Sequence, residues 1–404
     1  MTGILEGIRI IEVAQYVFVP VCTGVLAEWG ADVIKVEHPT RGDAYRGLRG
    51  TGSLAITGPV NYAIEHANRG KRSIGIDLSR ADGREVLNSL LAGADVLATN
   101  LLPASRDRLG LDLETLQRAH PHLVIARGTA LGERGPEKDR GGFDHAVYWA
   151  RSGAQYGATP DGAERPSPMP SGAFGDSTAG LAMAGGIAAA LLARERTGKA
   201  PVVDLSLLGF GIWSMASATT GSMLTGENAK PLPRVPVTNP LAGTYRTADG
   251  RWIALGCLKG FYEWPQLCHA LGQPDWIDDP RFCTAPLFDE HTEECAAMLD
   301  ALFSSAPLAI WRERLSDLDA VWGIVQTNLE AARDPQIAAN GHIAQINTAN
   351  DDPFELVASP IQFNEKPPQP RPAPQAGQHT EEILRDLGID WAGITDLKKS
   401  GAIN

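Results

Sequence analysis

From Ile8 to Thr129 the chain alternates between short apolar runs and segments with helical spacing. "IRIIEVA", "DVIKVE", "SIGIDL", "DVLATN" and "HLVIARGT" read as buried strands, while "VCTGVLAEWG" (stopped by Gly30), "RADGREVLNSLLAGA" and "LETLQRAH" read as helices between them. This alternation constrains the fold more than any other feature. It predicts an α/β architecture with a mostly parallel, Rossmann-like sheet and right-handed crossovers. Ligands of such sheets bind beyond the carboxyl ends of the strands. The segments to search are "HPTRGDAYRG" after Glu37, "NLLPASRDRLG" after Thr99 and "ALGERGPEKDRGGFD" after Thr129. The first strand runs into "QYVFVP" rather than GxGxxG, and there is no Walker loop, so neither usual nucleotide fingerprint is expected.

Past Gly198, "VVDLSLLGFGIWSMASATTGSML" reads as a short strand running into an apolar helix, and the proline-dense "PLPRVPVTNPLAG" marks a boundary. "TYRTADGRWIALGC" reads as two strands joined at an Asp-Gly turn, followed by the helices "FYEWPQLCHALG" and "PLAIWRERLSDL". These make a second, smaller α+β domain. Residues 345–378 read as an extended strap, rich in proline, lying across the protein itself or its partner, with "TEEILRDLG" as the last helix. The expected divisions are a large α/β domain over 1–225, a small domain over 226–330, and a strap and helix over 331–404 that return to the large domain.

A net charge of −12 argues against nucleic acid or an anionic membrane as partner. No uninterrupted apolar run approaches the roughly 18 residues that span a bilayer, and the N-terminus lacks a signal-peptide pattern. The five cysteines have no metal-ligand spacing and read as reduced thiols of a cytoplasmic protein. The nine histidines form no HExxH pair, so no metal is expected.

One acidic residue stands out. In "SGAFGDSTAGLAMAGGIAAALLARERTG", Asp176 sits among small residues where a long helix starts and is either a helix cap or a reactive carboxylate.

The segments "LAEWGADVIKVEHPTRGDAYRG", "ANRGKRSIGIDL", "DVLATNLLPASRDRLGLD", "FGDSTAG", "NPLAGTYRTADGRWIAL", "DPQIAANGHI" and "GQHTEEILRDLG" stand in the order found in one family. The chain resembles the class III CoA-transferases, or CaiB/BaiF family, over almost its whole length. The resemblance implies two domains per chain and an interlocked homodimer. It also implies that Asp176 is the catalytic aspartate, exchanging CoA between an acyl-CoA and a free carboxylic acid through an aspartyl anhydride and an aspartyl-CoA thioester. Such exchange needs no ATP, metal or tightly bound cofactor; CoA is a substrate. On this reading the start of the helix keeps Asp176 ionised, and Gly172, Ala173, Gly175 and Ser177 leave room for the thioester.

The phosphates of CoA need basic groups on an acidic protein. The resemblance assigns CoA binding to Lys71, Arg72, Asn100, Leu101 and Arg108; Asp144 is included with them, and His38, after the second strand, is either a further phosphate contact or an exposed loop histidine. Arg41 and Arg46 fit a phosphate contact as well, and Arg69 and Arg106 serve equally as surface charge. The chain departs from the family pattern at Phe18 and Val19 before Pro20, where many members have Ala-Gly. It departs again in "ALGCLKGFYEW", where Gly256 and Gly260 replace a run of glycines. Cys257 reads as a packed thiol. The related 2-methylacyl-CoA racemases carry His where this chain has Phe143, so a racemase would have to use His145 with Asp176. Asp144 and His145 otherwise open a helix. Phe143, Tyr148 and Trp149 suggest an apolar acyl pocket. A third alternative is a non-catalytic CoA-binding subunit, against which the presence of Asp176 counts.

Overall fold

The computed structural model describes residues 3–51, 54–229 and 237–404 and gathers six apolar runs into one sheet. They are β1 (Arg9–Val13), β2 (Asp32–Glu37), β3 (Arg72–Gly75), β4 (Val96–Thr99), β5 (Val124–Thr129) and β6 (Val202–Ser206). Their order is β3-β2-β1-β4-β5-β6, and every neighbouring pair is parallel. The order reverses between β1 and β4, so the crossovers leave on opposite sides and a crevice opens at the carboxyl ends of these two strands.

Both faces of the sheet are covered, which is why its strands read as continuous apolar runs. Ile10, Val33, Val96, Val124 and Ala126 face α1 (Phe18–Glu28) and the long helix that carries Asp176. The alternate residues Ile11, Ile34, Ile74, Leu97 and Ile125 face α3 (Ala81–Ala92) on the other side. Between these come α2 (Tyr62–Asn68), α4 (Pro103–Leu109) and α5 (Leu113–Ala119).

The Asp176 helix, α6 (Phe174–Thr197), is long and apolar enough to cross a bilayer, contrary to the expectation that no segment reaches that length. Its Ala179, Gly180, Met183, Ala184 and Ile187 are instead buried in the sheet's core cluster. Gly180 permits the close approach to α1, since a Cβ there would lie 2.8 Å from the Phe18 carbonyl oxygen and 3.1 Å from Cys22 N. α6 is a core helix.

Other elements moved from expectation. α1 starts inside "QYVFVP", and the apolar segment after β6 breaks into α7 (Leu207–Ser214) and α8 (Ala216–Thr225). The chain divides into one compact unit of Met1–Lys230 with Pro335–Asn404 and a second of Pro231–Asp334. The second unit holds an antiparallel sheet in the order β9-β8-β7, formed by β7 (Thr244–Arg246), β8 (Trp252–Leu255) and β9 (Trp322–Ile324). Trp264, Phe282, Phe288, Phe303 and Trp311 fill its core. Cys257 is buried there and its thiol is pushed up to about 11 by burial, so it is an inert packed side chain.

The C-terminal stretch was expected to be extended, but it contains the hairpin β10 (Ile343–Asn347) and β11 (Pro353–Val357). The proline strap then docks on its own unit: Gly70 N donates to Pro372 O, Ala373 N donates to Glu65, and Arg46 donates to Pro374 O. "TEEILRDLG" forms a helix at Thr380–Asp386 but is not the last one, because Trp391–Ser400 follows it.

Beneath the crevice lies a buried charge cluster. Glu12 receives Lys35 and Lys71, each at 2.6 Å, and Lys35 also meets Asp43 at 2.8 Å. Burial opposes ionisation of Glu12, but the two ammonium groups prevail and hold its carboxyl down at about 2. Glu12→Gln would leave two desolvated cations short of a partner. The expected loss is about 3–5 kcal/mol of unfolding free energy, read from urea denaturation; a loss below about 1 kcal/mol would show that the cluster contributes little.

Candidate active site

Two adjoining cavities occupy the carboxyl ends of the strands, and both lie within the first unit. The first, of about 390 Å³, is walled by His38 and Arg41 after β2, by Ile76–Ser79 after β3, by Arg84 of α3, and by Leu101 and Arg108. The second, of about 290 Å³, contains Asp176 together with Tyr16, Phe18, Asn100, Leu101 and Phe143. Gln15, Leu101 and Ser105 line both, so the two form one path across the point where the sheet order reverses.

Local bonds fix this path. Asn100 Nδ2 donates to Gln15 O at 2.7 Å, and Gln15 N donates back to Asn100 Oδ1 at 3.0 Å, tying the loops after β1 and β4 together. Asn100 is therefore a loop clamp as well as part of the wall. Lys35 donates to Ala14 O, and Tyr16 N donates to Asp43 Oδ1 at 3.1 Å, which holds Tyr16 at φ +66. A tyrosine in the left-handed region costs roughly 1–3 kcal/mol, sustained by these fixed partners.

The structure corrects two of the assigned phosphate contacts. Lys71 is fully buried and spends its ammonium on Glu12, Pro20 O, Ala67 O and Asn68 Oδ1. Burial pulls it down to about 8, partly offset by Glu12. Arg72 begins β3, at the amino end of the sheet, where it pairs with Asp32, Glu382 and Asp386. Neither lines the path. Arg46 is taken up by Glu37, Arg69 by Glu28 and Arg106 by Glu133. His38, Leu101 and Arg108 do lie in the wall, joined by Arg41. The segment Ile76–Ser79 and Arg84 were missed, although the strand-end rule applied to "SIGIDL" leads to them.

Arg108 is exposed, with one hydrogen bond to Ser105 Oγ at 3.2 Å. If it meets a phosphate, Arg108→Ala should weaken CoA binding about tenfold, weaken dephospho-CoA less, and flatten the salt dependence measured by calorimetry. Unchanged affinity and salt slope would leave Arg108 a surface charge.

Asp176 is not the cap of its helix. α6 starts behind Ala173, held at φ +60 without a side-chain cap, and Asp176 falls in the first turn. Asp144 faces that turn from outside the helix; burial raises its carboxyl, and the amides of His145, Asp176 and Gly175 only partly oppose this. Its Oδ1 accepts from His145 N at 2.7 Å, while Oδ2 is buried without a hydrogen-bond partner among the described residues. Asp144 lines neither cavity, contrary to its expected place among the CoA contacts; its hydrogen bond goes to the neighbouring His145 amide.

The expectation that the helix start keeps Asp176 ionised is also overturned. At 8% exposure, burial first and the Asp144 charge second push its carboxyl up to about 8. A first-turn dipole supplies about 0.3–1 kcal/mol, less than one pKa unit, and desolvation wins. The small residues do not simply leave room, either: a Cβ on Gly175 would collide with the Tyr148 ring, and Ser177 Oγ is hydrogen-bonded to His66 Nε2 at 2.9 Å. His145 is exposed and does not line the cavity of Asp176, which weighs against a proton shuttle between them. Tyr148 and Trp149 are core residues, whereas Phe143 is 60% exposed and stands in the cavity wall.

A buried carboxyl at the end of an open path suits covalent catalysis on a substrate with an anionic, nucleotide-like head. Residues 5–380 match CoA-transferase family III. The sequence is similar to (R)-2-hydroxy-4-methylpentanoate CoA-transferase of Clostridioides difficile, 31% identical over 402 residues and covering 99% of each chain. It is 29% identical over 409 residues to cinnamoyl-CoA:phenyllactate CoA-transferase of Clostridium sporogenes, covering 98% of this chain and 97% of that one. Among solved structures, a CaiB/BaiF family protein from Brucella suis superposes with a TM-score of 0.81 at 26% identity, covering 96% of this chain and 100% of that one.

Proposed function

Because the chain belongs to CoA-transferase family III, we propose that it moves CoA between carboxylic acids with Asp176 as the covalent nucleophile. The observation that carries this reading is the position of Asp176: a desolvated carboxyl in the wall of a cavity that continues into one bearing His38, Arg41, Arg84 and Arg108. The basic cavity takes the phosphates and the shared wall of Gln15, Leu101 and Ser105 guides the thioester. The ionised Asp176 attacks the thioester carbonyl, the C–S bond breaks, and an acyl-aspartyl anhydride and CoA thiolate result. The thiolate then attacks the aspartyl carbonyl and releases the donor acid, leaving aspartyl-CoA. The acceptor carboxylate attacks that thioester, again giving an anhydride and thiolate, and attack of the thiolate on the acceptor's acyl carbon frees the product and Asp176.

We infer further that the enzyme works as an interlocked homodimer in the cytoplasm. Trp213, Met223 and Leu224, at 71%, 74% and 83% exposure on α7 and α8, offer the apolar surface that a second copy would cover. The five unpaired cysteines suit a reducing compartment. Light scattering should give twice the chain mass; a monomer would overturn the interlocked arrangement.

The chemistry is tested by incubating the protein with acyl-CoA and free acids in deuterated water. Exchanged thioesters are expected, and hydroxylamine should convert Asp176 to a hydroxamate. Deuterium at the α-carbon without exchange would favour the racemase reading, and binding without either reaction would favour a scaffold.

A further inference from the structure

Resting on the transferase reading, we propose that the acid exchanged at Asp176 is a monocarboxylate with a short branched-alkyl or phenyl side chain, received between Tyr16, Phe18 and Phe143. The cavity that contains Asp176 joins the basic cavity only through Gln15, Leu101 and Ser105, so the sulfur end of CoA enters along that shared wall. The walls that belong to the Asp176 cavity alone are left for the acid. They are dominated by Tyr16, Phe18, Leu102, Phe143 and Leu207.

These side chains are fixed there by the fold. The Tyr16 ring meets Phe143 edge-on at 5.1 Å, and Tyr16 is held in its left-handed conformation by Asp43. Phe143 keeps most of its surface open beside the reacting carboxyl, an arrangement that an apolar ligand would relieve. Phe18 closes the floor against β5, where Gly128 has no side chain because a Cβ would strike Val19 and Phe18.

The charges in the wall point the same way. The cations in the Asp176 cavity are Lys138 and Arg140; both are exposed, and Arg140 is already paired with Glu137 at 2.8 Å. A dicarboxylate would find only these exposed, water-screened cations for its second carboxylate, while the rest of the acid's wall is largely aromatic and aliphatic. A volume of about 290 Å³ must also admit the sulfur end of CoA, which excludes a long fatty chain.

The test uses the full-length protein with acetyl-CoA as donor and compares kcat/KM for isovalerate and phenylpropanoate with that for succinate and oxalate. The apolar acids should be favoured by about 100-fold or more. Phe143→Arg should lower kcat/KM for phenylpropanoate, raise it for succinate, and narrow their ratio by at least about tenfold. Equal or better use of succinate or oxalate by the parent protein would overturn the proposal. So would an unchanged ratio in a Phe143→Arg variant that still forms the Asp176 hydroxamate from acetyl-CoA. That hydroxamate separates the two failures: its presence with no preference for apolar acids sinks only the acid assignment, while its absence with every donor sinks the transferase reading beneath it.

Discussion

Asp176→Asn should abolish CoA transfer, by at least about four orders of magnitude in kcat, while the protein folds normally. An amide is a poor attacker of thioesters, and no neighbour in the cavity offers an equivalent anion. The same substitution should raise stability at neutral and alkaline pH. The carboxyl of Asp176 is raised from 3.8 to about 8 in the folded protein, first by burial and then by Asp144. The folded state therefore holds that proton more tightly than the unfolded chain does. Its contribution to stability is fully present below pH ~4 and is lost as pH rises to ~8. Asn has no such loss. The gap in unfolding free energy between variant and parent should open across that interval to a few kcal/mol and stay level above it. Thermal melts at pH 4, 6 and 9 read it directly. A fully active Asn variant would end the nucleophile reading, and a gap independent of pH would end the account of burial.

The second large effect concerns the pH profile. Attack requires the ionised form, so kcat/KM for the acyl-CoA should climb about tenfold per pH unit and level off near pH 8. Asp144→Asn should move that acid limb to lower pH. It keeps the acceptor for His145 N but removes the negative charge that raises Asp176. The limb should remain above the ordinary carboxylate range, because burial is the larger cause and the substitution leaves it in place. Other groups around the pair are accounted for. Tyr45 is itself raised by burial and by Asp176 and stays neutral across the profile, and burial lowers His66, beside Ser177, to about 4, so it is neutral as well. The exposed Lys138 and Arg140 line the same cavity. A limb that stays in place in Asp144→Asn would show that the two carboxyls do not interact; a variant dead at every pH would give Asp144 a wider role than tuning its neighbour.

The strand and helix content of the sheet was legible in the chain because apolar spacing is a local property. Glu37 and Thr129 end strands as expected, and the loops after β2, β4 and β5 do wall the cavities. The position of Asp176 was legible too, since a carboxylate among small residues near a helix start is a sequence pattern. The order β3-β2-β1-β4-β5-β6 was not, although it creates the crevice: strand neighbours are chosen by pairing across tens of residues.

The same limit governs the charges. In the linear chain Lys71, Arg72 and Arg108 are equivalent cations. The fold sends Lys71 into contact with Glu12, 59 positions away, and Arg72 to the amino end of the sheet, leaving Arg108 at the carboxyl end. Asp176 and Asp144 stand 32 positions apart and meet only when α6 packs, so the proton on Asp176 is set by tertiary structure. Residue type and spacing determined which groups could react. Burial and long-range charge, which exist only once the chain is folded, decided which of them face the substrate and in what ionisation state.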